Sequence, residues 1–222
     1  MHTGLPRRAW YILVAGMLAA YAAGAAVALW VMHSGGWRDG TAWDVSVMHR
    51  THRPLPGWLD VVLLIIPWFG TNITIFAVLI PLSFWLRRRG RMDLVTELAV
   101  VSIGNYVLNF FVKVSFGRPR PSLWPRRGEY TWSSYPSGHA IAMMSVLVII
   151  AWLMYRERGV KWPFVVWAVL IVPMVYSRIY LGVHWPTDVV AGLLMGVIWA
   201  IAVWLALRGE GRRHDPAPLA GA

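Results

Sequence analysis

No cysteine occurs among the 222 residues. Disulfide cross-links and thiolate metal sites are therefore excluded, and the redox compartment leaves no trace in the composition. Charge is also scarce. Charged residues make up 14% of the chain and acidic ones number only 10, whereas a soluble domain of this length carries about a quarter charged residues. Long polar linkers and low-complexity tracts are missing too. That argues for a single domain over 1–222, with a tail over 208–222 expected to be flexible. What abounds is apolar: 58% of residues are hydrophobic. The net charge of +11 raises nucleic acid as a partner. The basic residues, however, stand in short clusters between apolar runs, so no nucleic-acid role is expected.

The uncharged runs are Ala9–Met32, Val61–Leu86, Leu98–Val112, Ala140–Tyr155, Trp162–Ser177 and Val189–Leu207. Crossing the hydrocarbon takes roughly 20 helical residues at 1.5 Å rise each. The first, second and sixth runs meet this nearly unaided, and the middle three do so once the polar residues at one end are included. The fold class expected is all-α, a polytopic bundle of six transmembrane helices. The spans fall at about 9–32, 59–86, 92–115, 137–155, 162–180 and 185–207. Pro67 and Gly70 are expected to kink or divide the second. The first run, 24 residues long, exceeds the roughly 7–15-residue core of a cleaved signal peptide and is expected to be retained. Gly16, Ala20, Gly24 and Ala28 recur every fourth residue, as a close packing face does, and Gly192 and Gly196 repeat that spacing.

Loop charges give the orientation. One side would hold twelve Lys and Arg and the other nine, of which Lys113, Arg120 and Arg178 belong to polar clusters. Both termini are then predicted to be cytoplasmic. The polar clusters all fall on the opposite, extracytoplasmic face. Segment 37–58, with Trp37, Trp43, Trp58, Arg38, Arg50 and Arg53, reads as an interfacial helix and loop that anchor the bundle.

Those clusters carry the chemistry. Lys113 should sit at the outer end of the third span, with Arg120 seven residues on, across a Gly117–Pro119–Pro121 stretch that cannot continue the helix. Snorkelling explains Lys113 alone, but a Lys and an Arg fixed in one rigid turn better suit an anion. Arg118 also precedes a proline, and spacing alone does not say which arginine faces the site. Pro136-Ser137-Gly138-His139 opens the fourth span. Ser137 is a favoured N-cap, and Gly138 permits a ligand to approach the free amides of the first turn, an anion seat. His184 and Asp188 open the sixth span at i and i+4, so Asp188 is expected to accept a hydrogen bond from one His184 nitrogen and free the other for attack.

Taken together, Lys113-x6-Arg120-Pro121, Pro136-Ser137-Gly138-His139 and Ser177-Arg178-x5-His184-x3-Asp188 resemble the three-part signature of the type 2 phosphatidic acid phosphatase superfamily. The resemblance selects Arg120 over Arg118. It implies a metal-independent, cofactor-free phosphatase working through a phosphohistidine. His184 would be the nucleophile and Asp188 its orienting carboxylate. His139 would protonate the leaving oxygen and then activate water. Lys113, Arg120, Arg178, Ser137 and Gly138 would bind the phosphoryl oxygens. The substrate implied is a lipid phosphate or pyrophosphate in the membrane: undecaprenyl pyrophosphate, phosphatidylglycerol phosphate or phosphatidate. The rival reading is a non-hydrolytic lipid-phosphate binding or transport protein. Oligomeric state is not legible. His2, His33, His49, His52 and His214 have no partner at ligand spacing, and no metal site is expected. Asp93 and Glu97 read as cap and surface charges. The 122–135 loop, with Arg126, Arg127, Glu129 and Tyr130, overhangs the site and is a candidate for headgroup contact.

Overall fold

A computed structural model describes residues 5–125, 127 and 132–208. The expectations for the tail beyond 208 and for Arg126, Glu129 and Tyr130 fall outside them. Among the described residues every regular element is helical: α1 (Arg7–His33), α2 (Ala42–Thr51), α3 (Gly57–Ile65), α4 (Asn72–Arg88), α5 (Met92–Phe116), α6 (Gly138–Ala142), α7 (Val148–Arg158), α8 (Trp162–Tyr180) and α9 (Pro186–Leu207). A 3₁₀ turn (Ile66–Gly70) joins α3 to α4, and a π-helical turn (Met143–Leu147) makes α6 and α7 continuous. Five helical stretches are long and apolar enough to cross a membrane, and the pair Gly57–Gly70 and Ile73–Arg88, bent by 49°, makes a sixth span when counted as one. The layout is the expected one.

The bend lies where the sequence placed it. Pro67 has no N–H to donate and its ring crowds the preceding turn, so the backbone tightens into the 3₁₀ turn. Thr71 then restarts the helix by accepting a hydrogen bond from the Thr74 amide at 3.2 Å. The π turn between α6 and α7 displaces the helical hydrogen-bond ladder, and the Met143 carbonyl accepts instead from the Trp167 indole of α8 at 2.9 Å.

Helix α9 is the axis of the bundle. Along one side it receives α1, whose small residues let the backbones approach. A Cβ on Gly16 would lie 2.1 Å from that of Ala202, and one on Gly24 2.7 Å from Met195 Sδ. The α9 glycines serve a different neighbour. Gly192 packs against the Ser137 carbonyl and Ala140, and Gly196 against Met144 and Ile141. So the two small-residue faces are not partners: α1 uses its own, while α9 spends its glycines on the start of the α6–α7 span.

At the end of the bundle away from the polar clusters, Arg91 pairs with Asp93 and Glu157, and Arg156 with Glu97 at 2.6 Å. Glu97 corrects the sequence reading. It is 4% exposed rather than a surface charge, because it lies on the inward side of α5 and Arg156 reaches in to neutralise it.

Candidate active site

Helix α5 stops three residues after Lys113 for local reasons. Gly117 takes the left-handed conformation (φ +57°) and its amide donates back to the Lys113 carbonyl at 3.1 Å, with Pro119 following. That places the ammonium at the helix end. It donates to the carbonyls of Ser133 (2.7 Å) and Pro136 (3.0 Å). Arg120 reaches the same Ser133 carbonyl from the other direction (3.4 Å), together with the carbonyls of Trp132 (2.9 Å) and Val183 (2.6 Å). The first cluster is thereby tied to the segments leading into the other two.

The second cluster begins the α6–α7 span with Ser137 as N-cap residue, as expected, although its hydroxyl makes no cap hydrogen bond. Its amide donates instead to the Asp188 carbonyl at 3.0 Å. Gly138 lies under the Asn109 amide: a Cβ there would meet Asn109 Nδ2 and Oδ1 at 3.1 Å. The His139 ring packs against Gly70, at the bend between α3 and α4.

The third cluster closes the site. Arg178, 1% exposed, sits in the last turn of α8, and its carbonyl accepts from the amides of Val183 and His184. This holds the turn that carries His184 against Arg120. Here the geometry corrects the sequence reading. His184 is not on a helix; it precedes Trp185, the N-cap residue of α9. Pro186 fills the first helical position and Asp188 the third, where its Oδ2 accepts from the Trp185 amide at 2.9 Å. Capping, not a shared helical face, aims the carboxylate at the ring. His184 Nδ1 faces Asp188 Oδ2 at 3.6 Å, which is an ion-pair distance and longer than a hydrogen bond.

Among the described residues, side-chain polar atoms that are buried without a hydrogen-bond partner concentrate here: Ser137 Oγ, His139 Nε2, His184 Nδ1 and Asn109 Oδ1. Such atoms are costly to bury unless something polar meets them. Burial, then the charges of Arg120, Lys113 and Arg178, hold the His184 imidazole well below its ordinary value of 6.5. The ring is thus neutral, the form in which a nitrogen can attack. The sign follows directly. The unfolded chain takes up a proton near pH 6.5 that the folded one refuses, so this group's contribution to stability is lost as pH falls below 6.5. In selectively labelled protein the His184 ring signals should show no protonation step at 6.5. A midpoint there or above would contradict the burial.

Three further residues join the site: Arg118, which the sequence reading set aside, and Asp44 and Asn109, which it missed. Arg118, fully buried, donates to Asp188, Thr187 and Asp44. Asp44, from a segment read as an anchor, is fully buried too. A signal for it existed: Thr41 and Asp44 have capping-box spacing, and both cap bonds form at 3.0 Å. Asn109, an amide one turn before Lys113 in an apolar run, was also legible. His49 and His52 lie against Trp124, the latter stacked at 3.9 Å, and Arg127 pairs with Asp60. These contacts tie Trp124 to α2 and its C-terminal cap, and Arg127 to α3.

Comparison with known proteins bears on the family and the fold. The family model described as the PAP2 superfamily matches residues 93–212. An undecaprenyl-diphosphatase of Sulfolobus acidocaldarius is 32% identical over 105 residues, 47% of each chain. The undecaprenyl-diphosphatase BcrC of Bacillus subtilis is 28% identical over 140 residues, 59% of this chain and 67% of that one. The chain thus spans about half the length of the archaeal relative. A crystal structure of a transmembrane PAP2-type phosphatidylglycerolphosphate phosphatase from Bacillus subtilis superposes with a TM-score of 0.66 at 22% identity, over 93% of this chain and 99% of that one. The fold is therefore shared almost end to end. With a family match that takes in all three clusters and more than half of the sequence, this multi-pass membrane chain belongs to the PAP2 superfamily.

Proposed function

We propose that the protein is a membrane lipid phosphatase that transfers a phosphoryl group to His184 and then to water. One observation carries this: a buried histidine faces a carboxylate on one side, with Lys113, Arg120 and Arg178 in electrostatic reach. Nδ1 faces Asp188, which leaves Nε2 to attack phosphorus in line with the leaving oxygen. The P–O bond breaks as the N–P bond forms. His139, whose Nε2 has no protein partner, gives its proton to the leaving oxygen. It then takes one from the water that cleaves the N–P bond and releases inorganic phosphate. The three cations and the amides at Ser137 and Gly138 offset charge on the phosphoryl oxygens, the main source of catalysis in such transfers. A ring of cations repels a divalent metal, and none of these steps requires one.

A lipid substrate is favoured because the site lies at the ends of apolar helices, where a chain can stay among them. Relatives named for undecaprenyl diphosphate support a pyrophosphate lipid. The loop-charge asymmetry favours cytoplasmic termini and an extracytoplasmic site. The test is phosphate release by purified protein from a panel of lipid phosphates and pyrophosphates with EDTA present. Turnover should persist in EDTA, and acid quenching should trap an acid-labile phosphoenzyme. Loss of activity to EDTA, or binding without turnover, would overturn the reading.

A further inference from the structure

The nucleophile and its carboxylate do not stand alone. Asp188 Oδ1 accepts from Arg118 Nη1 at 2.6 Å. The other Arg118 donors are also taken: Nη1 shares Thr187 Oγ1 (2.7 Å), Nη2 meets Asp44 Oδ2 (3.0 Å) and the Gly36 carbonyl (2.9 Å), and Nε meets the Trp37 carbonyl (3.1 Å). The side chains of Arg118, Asp44 and Asp188 are each 0% exposed. The Trp37 and Trp185 rings lie 5.4 Å from the guanidinium. Asp44 in turn accepts from the Thr187 amide (2.8 Å) and hydroxyl (2.9 Å) at the start of α9. One cation is thus shared between two buried carboxylates, and it locks α2, the α1–α2 turn and the cap of α9 together.

We propose that Arg118 and Asp44 are positioning residues of the catalytic dyad: Arg118 neutralises and aims Asp188 at His184, and Asp44 fixes Arg118 and the α9 cap in turn. The proposal rests on the phosphatase reading for its catalytic consequence. A buried ion pair is not in itself evidence of stability. What marks this one is that one end of the network is Asp188, 3.6 Å from the nucleophile, and that α2 is recruited to hold it. Without Arg118, the Asp188 charge would stand unneutralised 3.6 Å from His184 Nδ1 and would favour a proton on the ring. That ring is also faced by Lys113, Arg120 and Arg178, whose charges oppose protonation. Arg118 therefore keeps the nucleophile available.

The experiment uses full-length protein in detergent, with labelled histidine, and compares wild type with Arg118→Gln. The His184 titration midpoint should rise by about one unit or more. The acid limb of kcat/KM should move up with it, so that activity at a pH on that limb falls about tenfold for each unit of rise. An unchanged titration and pH profile in a folded Arg118→Gln protein would overturn the proposal. If that variant does not fold, the pair Arg118→Gln with Asp44→Asn removes the carboxylate that the lost cation would strand. The same rise is expected, and a wild-type midpoint overturns the proposal there too. Should wild type release no phosphate at all, the phosphatase reading fails, while the His184 titration still decides the role of Arg118.

Discussion

His184→Ala should abolish phosphate release, with a loss of about 10⁴-fold or more. No other described group occupies the same place in the proposed mechanism: the ring is 3% exposed and faces Asp188, with Lys113, Arg120 and Arg178 in electrostatic reach. Alanine removes the attacking nitrogen while leaving the Val183 and His184 backbone amides free to bond the Arg178 carbonyl. The turn, and the Arg120 contact to the Val183 carbonyl, should survive. Two measurements separate chemistry from folding. Unfolding temperature and elution volume should stay near wild type, and the acid-labile phosphoenzyme should disappear. A variant that still turns over the lipid would remove His184 as nucleophile, whatever the family resemblance implies.

The span layout and the three clusters were legible because both rest on local signals. Charge-free runs mark the spans, and Pro67 and Gly70 mark the division of the second one. Polar residues at helix ends in a lipid-facing chain stand out for the same reason, since burying them without a partner is costly. What was not legible depends on contacts distant in sequence. Asp44 meets Arg118 across 74 residues and Thr187 across 143, and no periodicity links α2 to α9. Glu97 likewise looked like a surface charge until Arg156, 59 residues away, reached it. The His184–Asp188 pair came close for a different reason from the one expected. Their i,i+4 spacing proved informative, but the geometry arises from a helix cap and not from a helical face.

Gly192→Val should lower kcat/KM by about 10²-fold, although residue 192 touches no phosphoryl oxygen in the proposed mechanism. A Cβ there would lie 2.6 Å from the Ser137 carbonyl oxygen and 2.9 Å from Ala140 Cβ. Both neighbours belong to the α6 start, and one is backbone, so relief requires the start of α6 to move away from α9. The Ser137 amide would then be pulled from the Asp188 carbonyl it meets at 3.0 Å. The amides proposed to seat the phosphoryl group, and His139 beside them, would shift relative to His184 on the far side. In-line transfer between groups on two elements is sensitive to that separation, where about 1 Å of misplacement is enough for the predicted loss. Overpacking also costs stability, about 1–3 kcal/mol, so thermal unfolding must be measured alongside. Assays well below the variant's unfolding temperature isolate the geometric effect. Gly57→Ala is the control, because a Cβ at Gly57 meets nothing within 4 Å and activity should be unchanged. Wild-type kcat/KM in a folded Gly192→Val protein would mean that the seat is not set by its contact with α9. The position of the α6 start, and with it the proposed role of Ser137 and Gly138, would then need another support.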